Sequence, residues 1–535
     1  MARQVDGHSD FRATVIQTRL TSYDLVAYPG YTHPQTHPDR LAVIGVLSGL
    51  EPAPVNRCRV LELGCGNGSN LVPMAWGLPE SDFVGIDLAA RPIAYGQRMI
   101  NDLGITNVRL IHSNITEAKQ DWGKFDYLIA HGLFSWVPAE VREQLLAICR
   151  SSLAPQGIAF VSYNALPGGH LQNMIREMML FHVRGVEAAE ERVRQAQALV
   201  RFLAEAQDTR DEYRLWLKAE LEGILDHDEG HLYHDELAEL NEPFYFTRFM
   251  ERAAAHGLQY VGEADYFEMF DHSFSESVRQ TLGQLALNRI LREQYLDFLK
   301  CRRFRQTLLC HREVCLRTEP QAEKVTGFLV SSPAECITGA SDLRPGVVSA
   351  YQTPKGARCE TDFALGKSAL GVLRMAWPMP LPFEELMQQA MISSRQEQVS
   401  DSNDGQAREQ LSEFLLKLYS AGIVEFRASL PPIARGASER PVASPVARWQ
   451  AQHGDVVTSL FHIAVKVEDE IGRHLLSWLD GTLDRKALLE KLWFLLESNK
   501  ALVIPNGDET AARREIELGL QNNLEKLARL GLLVG

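Results

Sequence analysis

The chain has 535 residues, of which 45% are hydrophobic and 23% are charged, a balance that excludes collagen-like, disordered and small disulfide-framework proteins. With 55 Lys and Arg against 69 Asp and Glu, its formal net charge of −14 disfavours a protein that coats nucleic acid. Its eight cysteines follow no regular framework, as expected in a reducing cytoplasm.

The start of the chain lacks the apolar core of a secretory signal, and no apolar run reaches the ~18 residues of a membrane span. We therefore expect a cytoplasmic protein with no membrane insertion. Residues 1–45 are predicted to form a cap segment, rich in Tyr, His and Pro between positions 28 and 38, that precedes the first strand.

Residues 46–170 alternate between apolar strands and helical stretches. The predicted strands are short, continuous and apolar, as parallel strands buried on both faces are, and they cover residues 58–63, 82–87, 107–111, 125–130 and 158–163. Between the last two, residues 139–153 carry apolar side chains at helical spacing. This alternation predicts a doubly wound α/β sheet.

The rest of the chain is predicted to form three further regions. Residues 171–300 are mostly helical, with a strand near 260–262 that returns to the sheet and one long helix over 274–300. Residues 301–430 form a middle domain with a polar loop at 393–408. A proline-rich linker at 428–446 introduces a mostly helical C-terminal domain, residues 431–535.

The strongest local signal is the run from Glu62 to Gly68 (Glu-Leu-Gly-Cys-Gly-Asn-Gly), between a predicted strand and a helix. Its glycines let the backbone turn tightly and let a ligand approach without Cβ contacts. The third glycine comes one residue too early for the dinucleotide fingerprint Gly-x-Gly-x-x-Gly. Asp87 ends the second strand, where a carboxylate can accept hydrogen bonds from two ribose hydroxyls.

This run resembles motif I of class I S-adenosylmethionine-dependent methyltransferases. The resemblance implies that S-adenosylmethionine (SAM) is the cofactor, with its methionine part on the glycine loop and its adenine near the third strand. It implies a cofactor site formed by Glu62, Gly64, Gly66, Asn67, Gly68, Asp87, Leu88, Ser113, Asn114, Ile115 and His131. The family often has an acid at the position of Asn114.

Longer motifs restrict the resemblance to one group within this family. They lie at 28–40 (YPGYTHPQTHPDR), 130–138 (AHGLFSWVP), 162–169, 241–246, 302–311, 440–445 and 479–482. Together they resemble bacterial methyltransferases with a methyltransferase regulatory domain, among them the rickettsial-type protein-lysine methyltransferases of outer-membrane proteins. The resemblance implies a Rossmann-like seven-stranded core, a helical regulatory region and a C-terminal winged-helix-like domain. It also implies a lysine-bearing protein substrate and suggests a homodimer.

The acceptor site is expected where the fourth and fifth strands end, because open α/β sheets bind ligands at that edge. The predicted catalytic residues are Tyr163, Asn164, His131 and Trp136. The predicted substrate-binding residues are Tyr31, His33, Phe134, Trp136 and Tyr163, although aromatic side chains at these positions also suit packing. Methylation of a small molecule or secondary metabolite, and non-catalytic SAM binding, remain open as alternatives.

Other methyltransferase classes fit less well. The run after the fourth strand is not the Asn/Asp-Pro-Pro-aromatic motif of DNA amino-methyltransferases, and no Pro-Cys pair of the cytosine-C5 type is present. A basic cluster between Lys300 and Arg312 is interpreted as a solvated helix end rather than a nucleic-acid site. The cysteines around it lack a close Cys-x-x-Cys pair, so no metal is expected.

Overall fold

The computed structural model describes residues 21–117, 122–207, 211–339, 342–344, 346–396, 404–499 and 508–535. Its centre is a seven-stranded sheet. The strands are β1 Arg59–Leu63, β2 Asp82–Asp87, β3 Val108–His112, β4 Phe125–Ala130, β5 Leu153–Asn164, β6 Leu258–Glu263 and β7 Phe304–His311. They lie in the order β3-β2-β1-β4-β5-β7-β6. The first five are parallel, and β7 runs antiparallel between β5 and β6, which confirms the doubly wound seven-stranded prediction.

Helices cover both faces of this sheet and build the other regions. They are α1 Ser22–Leu25, α2 Pro38–Leu47, α3 Leu71–Gly77, α4 Ala90–Leu103, α5 Ala139–Ser152, α6 Gly169–His182, α7 Ala189–Glu205, α8 Glu212–Leu225, α9 Glu229–His231, α10 Phe246–Ala255, α11 Glu276–Leu285, α12 Arg289–Lys300, α13 Ala364–Ala376, α14 Phe383–Gln396, α15 Asp404–Ser420, α16 Pro445–His453, α17 Glu470–Trp478, α18 Arg485–Ser498 and α19 Glu509–Arg529. None of the helices in the described ranges is both long and apolar enough to cross a bilayer.

The helical region after the core is confirmed as α6, α7 and α8, which share an apolar core of their own. The single helix predicted over 274–300 is wrong, because the chain forms α11 and α12 instead. The Asn288 side chain accepts a hydrogen bond from the backbone N–H of Leu291 at 3.0 Å. An Asn in this position starts a helix and satisfies its first free N–H groups, so the apolar period restarts there.

The middle region does not begin at residue 301. β7 belongs to the central sheet, because its apolar residues Leu308, Leu309 and Cys310 are buried between β5 and β6. Beyond it, six short strands and three helices pack onto the same core. The strands are β8 Leu329–Ser331, β9 Glu335–Cys336, β10 Ser349–Gln352, β11 Arg358–Thr361, β12 Leu381–Pro382 and β13 Glu425–Arg427, of which β9, β10 and β11 form one sheet and β12, β8 and β13 another.

The polar loop predicted at 393–408 is wrong at both ends. Helix α14 continues to Gln396 and α15 begins at Asp404, while 397–403 lie outside the described residues. Asp404 and Gln406 are exposed polar residues of α15 and help to explain why the segment reads as a loop, since a solvated helix position needs no apolar residue.

The C-terminal region folds around its own apolar core. Its helices α16–α19 surround a hairpin of β14 Val456–Thr458 and β15 Ala464–Lys466. The proline-rich segment before it is more than a linker, because Ile433 and Ala443 pair with Val534 and Leu533 at the chain end. This arrangement fits the winged-helix prediction.

Candidate active site

The glycine loop connects β1 to α3 at the carboxyl edge of the sheet. Gly64, Gly66 and Gly68 have φ angles of +75°, +53° and +74°, which glycine adopts without steric cost. A Cβ at Gly68 would lie 2.8 Å from the Leu110 side chain, whereas a Cβ at Gly66 would meet nothing within 4 Å. The backbone at Gly66 therefore faces open space, as a ligand cradle requires.

Glu62 precedes this loop and is buried, with 3% exposure. Its Oε1 accepts a hydrogen bond from Asn70 Nδ2 at 2.8 Å. Its Oε2 is buried and has no partner among the residues that the structure describes. Burial raises the pKa of this carboxyl to about 8. An unpaired buried carboxylate oxygen is costly, so the site is suited to a cationic donor such as the amino group of a methionine moiety.

Asp87 lies beside the loop at the end of β2. Its Oδ2 accepts from the Gly66 N–H and its Oδ1 from the Ala89 N–H, both at 2.8 Å. Burial raises the pKa of this carboxyl above its ordinary value. Each carboxylate oxygen has a second lone pair, so the backbone bonds hold Asp87 in place and leave it able to accept from ribose hydroxyls. Leu88, beside it, is 53% exposed and offers an apolar surface.

The residues after β3 border the same edge. The Ser113 N–H donates to the carbonyl of Asp87 at 2.9 Å, and Ile115 is buried. Asn114 Oδ1 accepts from the Thr116 N–H at 3.0 Å. The structure thus brings the predicted adenine-contacting segment next to Asp87 and Leu88.

The described part of the cap, residues 21–45, brings Gly30 directly over the glycine loop. A Cβ at Gly30 would lie 2.1 Å from Ser69 Oγ and 2.7 Å from Asn67 Nδ2, so only glycine permits this approach. Asp24 accepts from the backbone N–H of Arg91 at 2.9 Å and so ties the cap to α4. The cap therefore forms one wall of the site.

His33 from the cap stacks on His131, which follows β4. Their ring centroids lie 3.7 Å apart with an 18° interplanar angle, and His131 also contacts Phe160 and Phe304. Burial lowers the pKa of His33 to about 4 and that of His131 well below its ordinary value, and the neighbouring His33 ring further disfavours a charge on His131. Both rings are neutral at pH 7, and together they form an uncharged aromatic wall.

A second wall comes from α9 and the π-helical turn Leu232–Glu236 that follows it. The Tyr31 hydroxyl donates to Asp228 Oδ2 at 3.3 Å, and the Tyr31 ring stacks on His231. The Tyr28 hydroxyl donates to Asp235 Oδ2 at 3.4 Å. Burial raises the pKa of Asp235 to about 6. We call Tyr28, Tyr31, Asp228, His231 and Asp235 the acidic aromatic wall.

The stacked histidines His33 and His131, the acidic aromatic wall and Asp87 lie close together. The charge of His231 contributes to the low pKa of His33, and the charges of Asp235 and Asp87 both raise the pKa of Tyr23 in α1. Sequence reasoning missed the residues of this turn because they lie about 200 positions after the cap. The unusual run at 227–236, His-Asp-Glu-Gly-His-Leu-Tyr-His-Asp-Glu, was the available signal.

Two of the predicted acceptor residues lie in the core instead. Tyr163 is 1% exposed, stacks on Phe249 at 4.1 Å, and contacts Thr307 Oγ1 through its hydroxyl at 3.2 Å. Phe134 is fully buried and packs on the same Phe249. Both rings therefore face helix α10, which contains Phe249. Neither ring offers a surface to an acceptor.

The other two predicted catalytic residues differ from each other. Asn164 is 8% exposed and donates from Nδ2 to Asn241 Oδ1 at 2.8 Å, and its backbone N–H donates to Ser135 Oγ. Trp136 is partly exposed in a short 3₁₀ turn after β4. Asn164 is thus held by neighbouring side chains, and Trp136 remains at the surface near the sheet edge.

The basic cluster is not a solvated helix end at its centre. Arg305 is 1% exposed and contacts Glu263 at 2.5 Å, Asp297 at 2.9 Å and Glu293 at 3.1 Å. Arg302 is also buried and pairs with Asp297 at 2.8 Å. These arginines neutralise buried acids of β6 and α12, so their role is to stabilise the packing of α12 against the sheet.

Comparison with known proteins matches three regions of the chain to described families. Residues 60–157 match the family described as methyltransferase domain, 228–311 the predicted methyltransferase regulatory domain, and 439–532 the C-terminal winged helix domain of PKMT. The uncharacterized protein RP789 of Rickettsia prowazekii is 28% identical over 96% of this chain and 93% of its own length. The uncharacterized protein RP028 of the same organism is 38% identical over 44% of this chain and 95% of its own length.

Solved structures of PKMT2 from Rickettsia typhi, one of them in complex with AdoHcy, superpose with a TM-score of 0.84. They are 28% identical to this chain and cover 95% of it and 100% of their own. The similarity thus extends over the core, the regulatory region and the winged helix.

Proposed function

We propose that this protein, which belongs to the bacterial methyltransferases with a regulatory domain and a PKMT winged helix domain, transfers methyl groups to lysine side chains of proteins. Family membership makes it an enzyme and makes S-adenosylmethionine its methyl donor. The lysine acceptor is our proposal, and we extend it to outer-membrane proteins methylated in the cytoplasm by a homodimer. The observation that carries it is the acidic aromatic wall beside the cofactor loop.

The cofactor residues follow from the loop geometry. Glu62 Oε2 would hold the methionine amino group, the loop from Gly64 to Gly68 would surround the methionine part, and Asp87 would accept from the ribose. Leu88 and Ile115 would lie against the adenine, with Ser113 beside it. Since Asn114 Oδ1 already accepts from Thr116, we expect its NH₂ group to donate to a ring nitrogen of the base.

The acceptor residues follow from charge and shape. An approaching lysine is a cation, which aromatic faces and carboxylates attract. Tyr28, Tyr31, Asp228 and Asp235 offer both, whereas the neutral His33 and His131 rings suit the uncharged amine. A lysine therefore passes from a wall that favours its charged form to one that favours its neutral form.

The reaction needs a neutral amine, because the nitrogen lone pair attacks the methyl group in line with the departing thioether. Neutralising a lysine of pKa ~10.4 at pH 7 costs about 4–5 kcal/mol. We propose that Asp235 accepts the proton, and the support is that burial raises its pKa to about 6. The cofactor, when bound, supplies a methyl group on a positively charged sulfur, and the stacked rings hold the amine and exclude water.

The test is transfer of label from methyl-labelled S-adenosylmethionine to a lysate of the host. The protein fraction is acid-hydrolysed and separated, and we expect label in methyl-lysine. A lysate whose lysines have been blocked by acetylation serves as the matched substrate control and should take up no label. Label found only in small molecules would instead support the metabolite alternative, and binding without any transfer would support the non-catalytic one.

A further inference from the structure

A single histidine of the C-terminal domain reaches the cofactor loop. His462 lies in the turn between β14 and β15, is 4% exposed, and has a φ of +61°. A left-handed φ is uncommon for residues other than glycine and costs free energy, so surrounding contacts must hold it. Its backbone N–H donates to the Ser459 carbonyl within the turn, and its side chain contacts another domain, because His462 Nε2 is 2.8 Å from Asn70 Oδ1 at the start of α3.

Asn70 connects this histidine to the acid of the glycine loop. Its Nδ2 donates to Glu62 Oε1 at 2.8 Å and to Thr36 Oγ1 at 3.0 Å, which makes its Oδ1 the acceptor. The Oδ1 accepts from the backbone N–H of His33 at 2.9 Å and from His462. His462 therefore donates from Nε2, and burial keeps its ring neutral by lowering its pKa. Asn70 is 5% exposed, so water does not compete for these bonds.

The hydrogen bonds from His462 to Asn70 and from Asn70 to Glu62 thus hold one oxygen of Glu62, and the other oxygen stays without a partner among the described residues. An amide held by four hydrogen bonds has one orientation, and its NH₂ group then sets the rotation of the Glu62 carboxylate. Loss of the His462 bond removes the restraint that the C-terminal domain places on Asn70, while the bonds to His33 and Thr36 of the cap remain. The orientation of Glu62 Oε2 would then become less defined.

We infer that His462 is a positioning residue, through which the winged helix domain sets the affinity of the core for the amino-acid end of its cofactor. This inference rests on the proposed function, since it takes Glu62 as the residue that binds the methionine amino group. It predicts an effect confined to ligands that carry the amino acid. S-adenosylmethionine and S-adenosylhomocysteine carry it, and methylthioadenosine lacks it.

The experiment measures calorimetric binding of all three ligands to the full chain. His462→Asn tolerates the left-handed φ but is too short to reach Asn70, so we expect it to weaken binding of both amino-acid ligands about tenfold. Methylthioadenosine should bind within about twofold of the wild type. His462→Gln places an N–H donor near the position of Nε2 and should recover most of the lost affinity.

A matched control tests whether the loss of any hydrogen bond between the C-terminal domain and the core has the same effect. Trp449→Phe removes the 3.0 Å bond from Trp449 Nε1 to Asp102, which also joins the C-terminal domain to the core but does not lead to Glu62. We expect it to leave all three affinities within about twofold of the wild type. The inference is overturned if His462→Asn weakens the binding of all three ligands equally or of none of them. It is also overturned if the affinities of His462→Asn equal those of Trp449→Phe. Failure of the wild type to bind S-adenosylmethionine would instead overturn the proposed function.

Discussion

Replacing Glu62 with Gln tests the cofactor site most directly, because Gln keeps the shape of the side chain and cannot ionise when a cation binds. Gln retains an oxygen that can accept from Asn70, whereas the buried Oε2 becomes an NH₂ group. That group repels an ammonium where the carboxylate attracts it. A charge-assisted hydrogen bond contributes about 1.5–3 kcal/mol, so we expect the affinity for S-adenosylmethionine to fall about ten- to a hundredfold.

The same substitution changes the protons exchanged on binding. With a pKa of about 8, Glu62 carries its proton in roughly nine tenths of the free molecules at pH 7. Pairing with an ammonium favours the ionised form, so the wild type should release up to about 0.9 proton from this residue for each cofactor bound. Binding enthalpies in buffers of different ionisation enthalpy measure this number. Glu62→Gln should lack that release.

Stability gives an independent check with a definite sign. Burial raises the pKa of Glu62 from 4.5 to about 8, so the folded state holds a proton that the unfolded chain loses above pH 4.5. The contribution of this residue to the free energy of unfolding therefore falls by ~3 kcal/mol between pH 4.5 and 7. Chemical denaturation of the ligand-free proteins should show that, as pH rises over that range, the free energy of unfolding of Glu62→Gln increases relative to that of the wild type. Equal proton release and a constant stability difference would refute the reasoning.

Three further substitutions separate the site from the fold. Gly66→Arg places a large cation with an unfavourable φ in the open cradle and should abolish S-adenosylmethionine binding by calorimetry, while circular dichroism stays unchanged. Tyr163→Phe removes only the bond to Thr307, so it should lower the free energy of unfolding by about 1 kcal/mol and leave kcat unchanged; a large loss of kcat would return this residue to the catalytic set. Arg305→Met leaves the buried Glu263 without its arginine and leaves Asp297 and Glu293 with Arg302 alone, so it should cost about 3–5 kcal/mol in denaturant unfolding; a neutral result would contradict the described ion pairs.

The glycine loop shows what the sequence determined by itself. Glu62, the three glycines and Asp87 lie within one strand–helix–strand unit, where chain connectivity already brings the carboxyl ends of neighbouring parallel strands together. Local chemistry then decides the rest, since only glycine adopts the loop conformation without cost. Strand positions were predicted for a similar reason: a strand buried on both faces must be apolar along its whole length.

The acceptor side was decided by the tertiary structure. Tyr163 ends a strand at the ligand-binding edge, as the sequence indicates, but helix α10 returns from later in the chain and covers its face. A residue pattern shows which face of an element is apolar and does not show which element covers it. Tyr163 therefore lies in the core.

Contacts between distant segments follow the same rule. The hydroxyl of Tyr31 meets Asp228 across 197 positions, and His462 meets Asn70 across 392 positions. No local period encodes such pairs, because each partner has an ordinary place in its own segment. Local patterns in the sequence were enough to predict the fold class and the glycine loop. Which side chains lie around that loop depends on the packing of the cap, the turn Leu232–Glu236 and the winged helix, because that packing uses surfaces that exist only once each region has folded.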